Sequence, residues 1–368
     1  MAPGAGPARV RRAQADVRPQ VAATLNIAGA GMAGLVAAAR ARELGATPVV
    51  YEKGSRVGGS MLLSSGFVWR YSSVETHLEQ CPGADPALAR TIVERFDDGL
   101  DWLESLGVEL LTRETENPLT VGARFDPAQL VRVLGSEIRL EETIEKPTIL
   151  ATGGFPVRLA RDRGLLLRAN PWSEGDGLEH ARSRGAAVIG DLEEFYGRNM
   201  PDRQTLAEEE FRPASQLYAQ YAGIVNDEGD EFLVGPPAWH EADVAQATAR
   251  QPGGRAWYLL TEKALRQRVR DRTVEEMVRA ADPVPADRLP FKVPHSIVLG
   301  VPVRPAVTYT VGGVGIDERA RVLDLAGKPV EGLYAAGVDA GGWATGGYAS
   351  GLAAALVFGR IAAESALS

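Results

Sequence analysis

Three glycines near the start of the chain have the spacing of a phosphate-binding turn. Gly29, Gly31 and Gly34 follow a short apolar segment and open a segment rich in alanine, leucine and arginine. Glycines so spaced allow a tight turn, close approach of a pyrophosphate, and close packing of a helix on a strand. Met32 and Ala33 would begin that helix, whose free N–H groups and dipole stabilise a phosphate. The motif indicates a dinucleotide site.

An acidic residue lies where the ribose of such a dinucleotide would bind. Glu52 ends a second apolar segment, and a carboxylate there accepts hydrogen bonds from ribose hydroxyls. Lys53 follows it, and a second glycine pair, Gly58 and Gly59, comes just before Ser60. With this second pair the sequence resembles the superfamily of fumarate reductases, succinate dehydrogenase flavoproteins and 3-ketosteroid dehydrogenases, which implies FAD rather than NAD.

The resemblance continues in three distant segments, 151–155, 175–177 and 332–363. In that family the C-terminal segment wraps the ribityl chain and the flavin ring. The resemblance implies that Asp339 binds a ribityl hydroxyl and that the start of the final helix points N–H groups at the flavin ring. The other FAD contacts implied by the resemblance are Ser65, Gly66, Ala151, Thr152, Gly153, Asp176, Gly337, Tyr348, Ser350, Gly351 and Leu352.

The resemblance also implies how the flavin is held. Relatives that attach FAD covalently use a histidine after the second glycine pair, and residues 60–69 contain none. We therefore expect non-covalent FAD. A second strand, glycine turn and helix for NADH or NADPH is not evident, so the electron donor or acceptor is unidentified.

Most positions that handle a dicarboxylate in fumarate reductases are changed in this sequence. By local alignment, their threonine, glutamate and arginine cluster falls on Ala214, Ser215 and Tyr218, and two further arginines fall on Glu241 and Gly346. Burying a dicarboxylate without cationic partners would cost several kcal/mol per charge. A small dicarboxylate is therefore not the expected substrate.

Aromatic residues take the place of those charges. Tyr218 and Trp343, with Phe67 and Trp69 nearby, are the residues that we expect to bind substrate. Such side chains suit a larger, flatter and mostly apolar carbonyl compound that reaches the cavity as a free small molecule.

Dehydrogenation of a C–C bond next to a carbonyl needs a hydride acceptor, a base, and donors that polarise the carbonyl. Tyr309 occupies the histidine position of the relatives' His-Thr-x-Gly-Gly motif and is the first candidate for proton transfer, while Thr310 is retained from that motif. His240, beside Glu241, is the second candidate, because imidazole titrates near neutral pH. An ordinary structural histidine is the alternative for His240.

Two other functions stay open from the sequence. FAD-binding motifs do not encode the electron acceptor, so a flavin oxidase or monooxygenase is one alternative. Because the relatives' charged catalytic groups are missing, a non-catalytic flavin-binding protein is the other.

The elements that must position these residues begin with a β-α-β unit. Its predicted parts are a strand at 24–28, a helix at 32–44 and a strand at 48–52. We expect further helices at 127–137 and 348–366. The predicted fold class is α/β, with a Rossmann-like FAD-binding domain of the glutathione-reductase type, a parallel sheet, and an inserted α+β cap domain.

Changes of texture along the chain suggest the domain boundaries. Residues 1–22 are predicted to be a disordered tail, because they are rich in proline, alanine and arginine. Residues 23–189 and 301–368 would form the FAD-binding domain, and residues 190–300 the substrate-binding cap, with a helical segment at 261–281.

Composition excludes several classes of protein. The 368 residues carry a net charge of −8 without a basic stripe, which disfavours nucleic acid as a partner. Cys81 is the only cysteine, so a disulfide framework is excluded. His77, His180 and His295 lack partners at ligand spacing, so no metal site is predicted. Long apolar runs are absent, and we expect a cytoplasmic protein away from the membrane; oligomeric state is not readable.

One departure concerns the cofactor's adenine side. Residues 138–147 are too few for the three-stranded β-meander that relatives usually insert there. The segment is either naturally short or a shortened form of that meander. We expect weaker retention of FAD than is usual in the family.

Overall fold

The computed structural model describes residues 23–135 and 137–368, and the predicted tail at 1–22 lies outside them. The strands are β1 (Thr24–Ala28), β2 (Thr47–Glu52), β3 (Phe67–Tyr71), β4 (Leu110–Thr112), β5 (Thr120–Phe125), β6 (Glu137–Leu140), β7 (Ile149–Leu150), β8 (Leu166–Leu167), β9 (Val188–Ile189), β10 (Phe195–Pro201), β11 (Gly223–Val225), β12 (Ala256–Thr261), β13 (Arg268–Val269), β14 (Arg272–Thr273), β15 (Val284–Pro285), β16 (Ile297–Thr310), β17 (Gly313–Val314), β18 (Arg321–Leu323) and β19 (Pro329–Ala335).

The α-helices of the described residues are given in chain order. They are α1 (Met32–Glu43), α2 (Gly59–Leu62), α3 (Val74–Gln80), α4 (Pro86–Ser105), α5 (Pro127–Leu134), α6 (Pro156–Arg163), α7 (Asp176–Ser183), α8 (Ala242–Ala249), α9 (Glu262–Leu265), α10 (Val274–Val278) and α11 (Gly351–Ala366). Every helix in this part of the chain is too short or too polar to cross a membrane.

A six-stranded sheet in the order β18-β19-β7-β1-β2-β6 forms the first layer. Its five strands from β19 to β6 run parallel, and β18 is an antiparallel edge. Leu25 and Ile27 of β1 are buried in this layer, as expected for a central parallel strand. The Rossmann-like parallel sheet predicted from the sequence is confirmed.

The two ends of the chain meet on this sheet, because α1 packs along α11. A side chain at Gly359 would place its Cβ only 2.8 Å from the carbonyl oxygen of Ala33, so glycine is what allows the helices to approach so closely. The first residues of both helices line the same cavity. Residues far apart in sequence therefore form one site.

The second large sheet is mainly antiparallel, in the order β10-β16-β12-β11. Its long central strand β16 pairs with β10, and a bulge follows the pair of Tyr196 with Tyr309. Since β16 runs from Ile297 to Thr310, it crosses the domain boundary predicted at residue 300. The division into 23–189, 190–300 and 301–368 stays a prediction.

Three expected elements differ in the structure. The segment 261–281 was expected to be one helix, but α9 and α10 flank the β13–β14 hairpin, whose turn residue Arg270 has a left-handed φ of 57°. Thr273 starts α10 afresh by a capping box with Glu276. The helix expected at 127–137 ends at Leu134, and the segment after it forms the strand β6. The final helix begins at Gly351, not residue 348, because Ser350 caps it.

Candidate functional site

Glu52 holds the glycine-rich turn in place. Its side chain is buried, and its two carboxylate oxygens accept hydrogen bonds from the backbone N–H groups of Ala30 at 2.8 Å and Gly54 at 2.7 Å. A carboxylate offers about four acceptor positions, so capacity remains for ribose hydroxyls. The residue thus has a structural function besides its predicted one.

The three glycines of that turn do different things. A Cβ at Gly29, where φ is 99°, would lie 2.2 Å from the carbonyl oxygen of Ala151, and one at Gly34 would lie 1.9 Å from that of Gly29. Both positions therefore serve the packing of the turn. A Cβ at Gly31 would meet no atom of the described residues within 4 Å, so its bare backbone faces the cavity.

A cavity of about 770 Å³ lies between the parallel sheet and the antiparallel sheet. It brings together most of the residues that the sequence indicated. These are Gly31, Met32, Ala33, Glu52, Gly59, Ser60, Ser65, Phe67, Trp69, Ala151, Thr152, Gly153, Tyr309, Gly337, Tyr348, Ser350, Gly351 and Leu352.

A smaller cavity of about 80 Å³ adjoins the first and shares Glu52 and Thr152 with it. Gly29, Lys53 and Asp176 line this second space. The Lys53 ammonium lies 3.2 Å from the Asp176 carboxylate. The cavity that we expect to hold the ribose and adenine side of the cofactor therefore borders the larger cavity.

Some predicted glycines of the described residues lie behind the cavity wall and shape its turns. Gly34 packs under the first turn, and Gly58 has a φ of 111° at the start of α2. A Cβ at Gly66 would lie 1.9 Å from the carbonyl oxygen of Phe125. These positions require glycine for backbone conformation or close packing.

Asp339 is buried and already bonded within the protein. Its carboxylate accepts hydrogen bonds from the Thr152 hydroxyl and from the backbone N–H groups of Thr152 and Gly154. Burial raises the pKa of Asp339, against the lowering effect of these donors. The structure places Asp339 behind Thr152, which itself lines both cavities.

Two aromatic residues predicted to bind substrate lie in the protein interior instead. Tyr218 is fully buried beside Tyr258, and its hydroxyl donates to Gln216 Oε1 at 2.6 Å. Trp343 is also fully buried, and its indole N–H donates to the Ala340 carbonyl at 2.7 Å. In this structure neither reaches the wall of the main cavity, whereas Phe67 and Trp69 do.

Two of the predicted catalytic residues are also set back from the wall. Thr310 is fully buried, and its hydroxyl accepts the backbone N–H of Phe155 at 3.4 Å. His240 is buried, and its Nδ1 accepts the backbone N–H of Ala242 at 3.2 Å. Burial lowers the pKa of His240 to about 4, so this imidazole is neutral at physiological pH.

Tyr309 lies at the cavity wall as expected, but its hydroxyl is engaged. It donates a hydrogen bond to the Ala349 carbonyl at 2.5 Å. Burial raises the pKa of Tyr309 well above the ordinary value of tyrosine. As a phenol it can position neighbouring groups more easily than it can give up its proton.

Sequence reasoning missed a tyrosine and two arginines of this wall. Tyr196 and Arg198 come from β10, and Arg168 comes from the segment after β8. The Arg198 guanidinium lies 5.3 Å from the centre of the Tyr196 ring. A charged residue within the apolar strand sequence FYGRNMP was the available signal, since a buried strand rarely carries arginine without a function.

The electrostatic setting of Tyr196 differs from that of Tyr309. Burial alone would raise the pKa of Tyr196, but the positive charges of Arg198 and Arg168 outweigh it and lower the pKa below the ordinary value. Tyr196 therefore releases a proton more readily than an isolated tyrosine does.

Tyr348 and the aromatic side chains around it form one wall of the cavity, here called the aromatic wall. The Tyr348 ring stacks on that of Tyr196 with centroids 3.8 Å apart and planes inclined by 13°. Trp69 meets Tyr348 edge to face at 5.3 Å and also contacts Trp239 at 5.7 Å. This wall offers flat apolar surface with phenol and indole groups.

Metal ligands are not gathered in the described part of the chain. No group of three or more His, Cys, Asp or Glu side chains among residues 23–135 and 137–368 could hold an ion. The lack of a metal site in the whole chain stays a prediction.

The chain is similar to several proteins of known name or structure. A probable fumarate reductase of Shewanella frigidimarina is 25% identical over 92% of this chain and 74% of that protein. The open conformation of a flavocytochrome c3 fumarate reductase superposes with a TM-score of 0.68 at 22% identity, over 95% of this chain and 79% of that one. A 3-ketosteroid-Δ4-(5α)-dehydrogenase from Rhodococcus jostii, solved with 4-androstene-3,17-dione, gives 0.66 at 18% identity, over 98% and 100%. These likenesses confirm the fold.

The family follows from a direct match. The model of the family described as FAD binding domain matches residues 25–132 and 76–353, which together cover most of the chain and both helix starts of the cavity. The resemblance inferred from the glycine motifs is thereby confirmed, and FAD is the cofactor. The chain belongs to the FAD binding domain family.

Proposed function

We propose that the protein moves a hydride between bound FAD and a C–C bond next to a carbonyl group in a small organic substrate. One observation carries the proposal. The N-termini of α1 and α11 open into a single cavity, and an aromatic wall around Tyr348 lies beside the start of α11. The first helix end suits a pyrophosphate and the second suits an electron-rich ring.

The residues of the site fit FAD. Gly31 presents bare backbone to the cavity, and neither α1 nor α11 carries an acidic residue in its first turn. The first N–H groups of a helix lack partners within the helix, so both ends are free to bind anionic or electron-rich groups. Residues 60–69 contain no histidine for a covalent bond, which supports non-covalent binding.

When bound, FAD supplies a hydride acceptor or donor at its N5 atom. Gly351 and Leu352 would hold the ring from the start of α11, where Ser350 accepts the backbone N–H of Ala353 at 3.3 Å and so fixes the first turn. Glu52 would bind ribose hydroxyls, and Met32 and Ala33 the pyrophosphate. The other predicted contacts in the cavity walls, which include Lys53 and Asp176, would bind the remaining parts of the cofactor.

The proton that accompanies the hydride needs a group of its own. Tyr309 and His240 were the candidates from the sequence, but their hydrogen bonds and pKa values limit them. We assign the transfer to Tyr196, which lines the cavity beside Tyr309, with ring centroids 5.2 Å apart, and has a lowered pKa. Tyr309 would then position Tyr348, and Thr310 would support Phe155.

The substrate would lie between the two sheets, so that closure of residues 190–300 over it could exclude water. Trp69 and Phe67 are the proposed aromatic contacts, with Tyr348 beneath them. A cytoplasmic location remains a prediction from the sequence.

Reconstitution with FAD tests the proposal. We expect the purified protein to show the visible bands of bound flavin, and those bands to bleach when an oxidisable carbonyl compound is added without oxygen. Enone, steroid-like and hydroxy-acid compounds form the screening set. Bleaching by dithionite alone, with every organic compound inert, would contradict a dehydrogenase and favour a flavin-binding protein without turnover.

A further inference from the structure

Six arginine side chains line the main cavity, and none of them forms an ion pair with a described residue. Throughout residues 23–135 and 137–368, no carboxylate lies within 4.0 Å of any of these guanidinium groups. The six residues are Arg124, Arg168, Arg198, Arg212, Arg270 and Arg272. Many other arginines of this acidic chain are paired, so the cavity is unusual in its charge.

The acidic residues of the same cavity do not neutralise this charge. Glu52 is committed to the backbone N–H groups of Ala30 and Gly54. The other carboxylates of the lining are exposed to solvent, which screens them. They are Glu114, Glu116, Glu209 and Asp271. The interior of the cavity is therefore positive.

Arg168 and Arg198 are the innermost of the set, and backbone or hydroxyl groups hold each of them. Arg168 donates to the Phe211 carbonyl at 2.8 Å and to the Thr308 hydroxyl at 3.0 Å, while Arg198 donates to the His240 carbonyl. Each guanidinium has five N–H donors, so both retain donors for a ligand. Buried Glu241 acts on Arg198 from beyond ion-pair distance, and because the pKa of Glu241 is raised to about 7 this carboxylate is only partly ionised near neutral pH. A buried cation with so little compensation is unfavourable, which indicates that an anion binds here.

The position of this pair distinguishes the anion from the FAD pyrophosphate. Arg198 lies over Tyr196, and Tyr196 packs against both Tyr348 and Tyr309. Tyr309 in turn lies 3.6 Å from where a Cβ of Gly351 would be. The two arginines are thus next to the start of α11, whereas the proposed pyrophosphate position is the start of α1.

We propose that the substrate is an anionic, flat, arene-bearing acid, whose carboxylate binds Arg168 and Arg198 and whose ring lies on the aromatic wall of Tyr348, Trp69 and Trp239. This inference rests on the proposed function and adds a negative charge to the larger, flatter and mostly apolar carbonyl compound expected from the sequence. Two arginines of fumarate reductases are replaced here by Glu241 and Gly346. Arg168 and Arg198 supply positive charge from other parts of the chain instead. Arg198 lies 5.3 Å from the Tyr196 ring, which stacks on Tyr348. Cations thus adjoin a flat aromatic surface, which suits a conjugated aromatic monocarboxylate better than fumarate, which has no ring, or a steroid, which has no carboxylate.

Arg270 provides a third contact at the rim and a convenient test. It is the turn residue of the β13–β14 hairpin, and it is exposed with a φ of 57°. Because glycine adopts this backbone conformation without strain, Arg270→Gly removes the charge without a cost to the fold. Arg268 lies on the same hairpin but not on the cavity wall, so Arg268→Gln is the matched control.

The experiment titrates the FAD-loaded protein with trans-cinnamate, trans-cinnamamide and fumarate, and follows the visible flavin spectrum. We expect cinnamate to perturb the spectrum and the neutral amide to bind about tenfold more weakly or worse. Arg198→Gln and Arg168→Gln should weaken cinnamate by about tenfold or more, and Arg198→Lys by less. Arg270→Gly should weaken it several-fold with an unchanged or higher Tm, while Arg268→Gln should match the wild type.

Three outcomes would overturn the inference. Equal binding of the acid and the amide would exclude recognition of a carboxylate. Fumarate binding as tightly as cinnamate would exclude the arene. The third outcome is that the arginine variants lose FAD, as measured by flavin fluorescence, while the fraction that keeps FAD still responds to cinnamate. That result would show that the arginines bind the cofactor. Failure of the proposed function is separate, because protein that binds no FAD gives no flavin spectrum in any arm.

Discussion

Tyr196 stacks on Tyr348 with ring centroids 3.8 Å apart, and this contact joins β10 to the segment that leads into α11. One ring comes from the strand that carries Arg198, and the other comes from the last turn before the final helix. Two positive charges therefore act on a phenol that is held next to the proposed position of the flavin ring.

Replacing Tyr196 by phenylalanine should reduce turnover by about 100-fold or more, because general acid–base groups contribute on that scale. Tyr309→Phe should reduce it much less, since the Tyr309 hydroxyl is bonded to the Ala349 carbonyl. Anaerobic measurement of the flavin reduction rate checks this. Equal losses in the two variants, with FAD binding intact, would contradict the assignment of Tyr196.

The pH dependence follows from the same charges. In the oxidation direction a base is needed, so the rate should rise as pH increases through the pKa of Tyr196, which lies below the ordinary tyrosine value. Arg198→Gln removes a positive charge and should move this rise to higher pH. A rise at the same pH in both proteins would show that another group transfers the proton.

Gly31→Ala and Gly34→Ala should separate cofactor binding from folding. A Cβ at Gly31 meets no described atom within 4 Å, whereas one at Gly34 would lie 1.9 Å from the Gly29 carbonyl oxygen. We expect Gly31→Ala to keep the Tm of the FAD-free protein and to weaken FAD, and Gly34→Ala to lower that Tm. Unchanged FAD affinity in Gly31→Ala would argue against a pyrophosphate at this turn.

Glu52→Ala should both destabilise the protein and weaken FAD. Removal of the carboxylate leaves the N–H groups of Ala30 and Gly54 without their acceptor, at a cost of about 1–3 kcal/mol each. The measurements are denaturant unfolding of the FAD-free protein and FAD titration. Glu174→Ala, which removes an exposed partner of Lys53, serves as the control and should leave the free energy of unfolding nearly unchanged.

Glu241→Gln should stabilise the protein at high pH. Burial raises the pKa of Glu241 to about 7 despite the charge of Arg198, so ionisation of the folded protein above that pH is unfavourable. The unfolded carboxyl ionises near its ordinary value, and the wild type therefore loses stability as pH rises from about 4.5 to 7. The variant should gain about 3 kcal/mol above pH 7 and almost nothing near pH 4. Thermal unfolding at a series of pH values checks it; an equal gain at every pH would refute it.

Extended dialysis should remove more FAD than is usual for the family, because β6 leads almost directly to β7 where relatives carry a meander. The colour retained after dialysis, and its recovery on adding FAD, measure this. Full retention of colour would show that the second cavity alone holds the adenine side.

The cofactor-binding half of the site could be predicted from the sequence, because phosphate binding depends on backbone N–H groups that a local glycine motif exposes. Gly31, Glu52 and Gly351 lie where a local motif places them, at the ends of predicted strands and the starts of predicted helices. The substrate-binding half could not be predicted, since it depends on which side chains of β10 face the cavity. The Tyr218 hydroxyl points inward to Gln216, and the bulge after Tyr196 shifts the pairing register of β10 with β16. Neither feature has a recognisable pattern in the local sequence.

Packing of α1 against α11 has a consequence for how the chain is made. Most of α1 is buried, and much of that cover comes from α11, which is synthesised much later. On the ribosome the finished β1–α1–β2 unit must wait, with its apolar surface uncovered, until some 300 further residues have been added. We therefore expect nascent chains to need chaperones that shield exposed apolar surface, and the native packing of α1 to form only after α11 has been made.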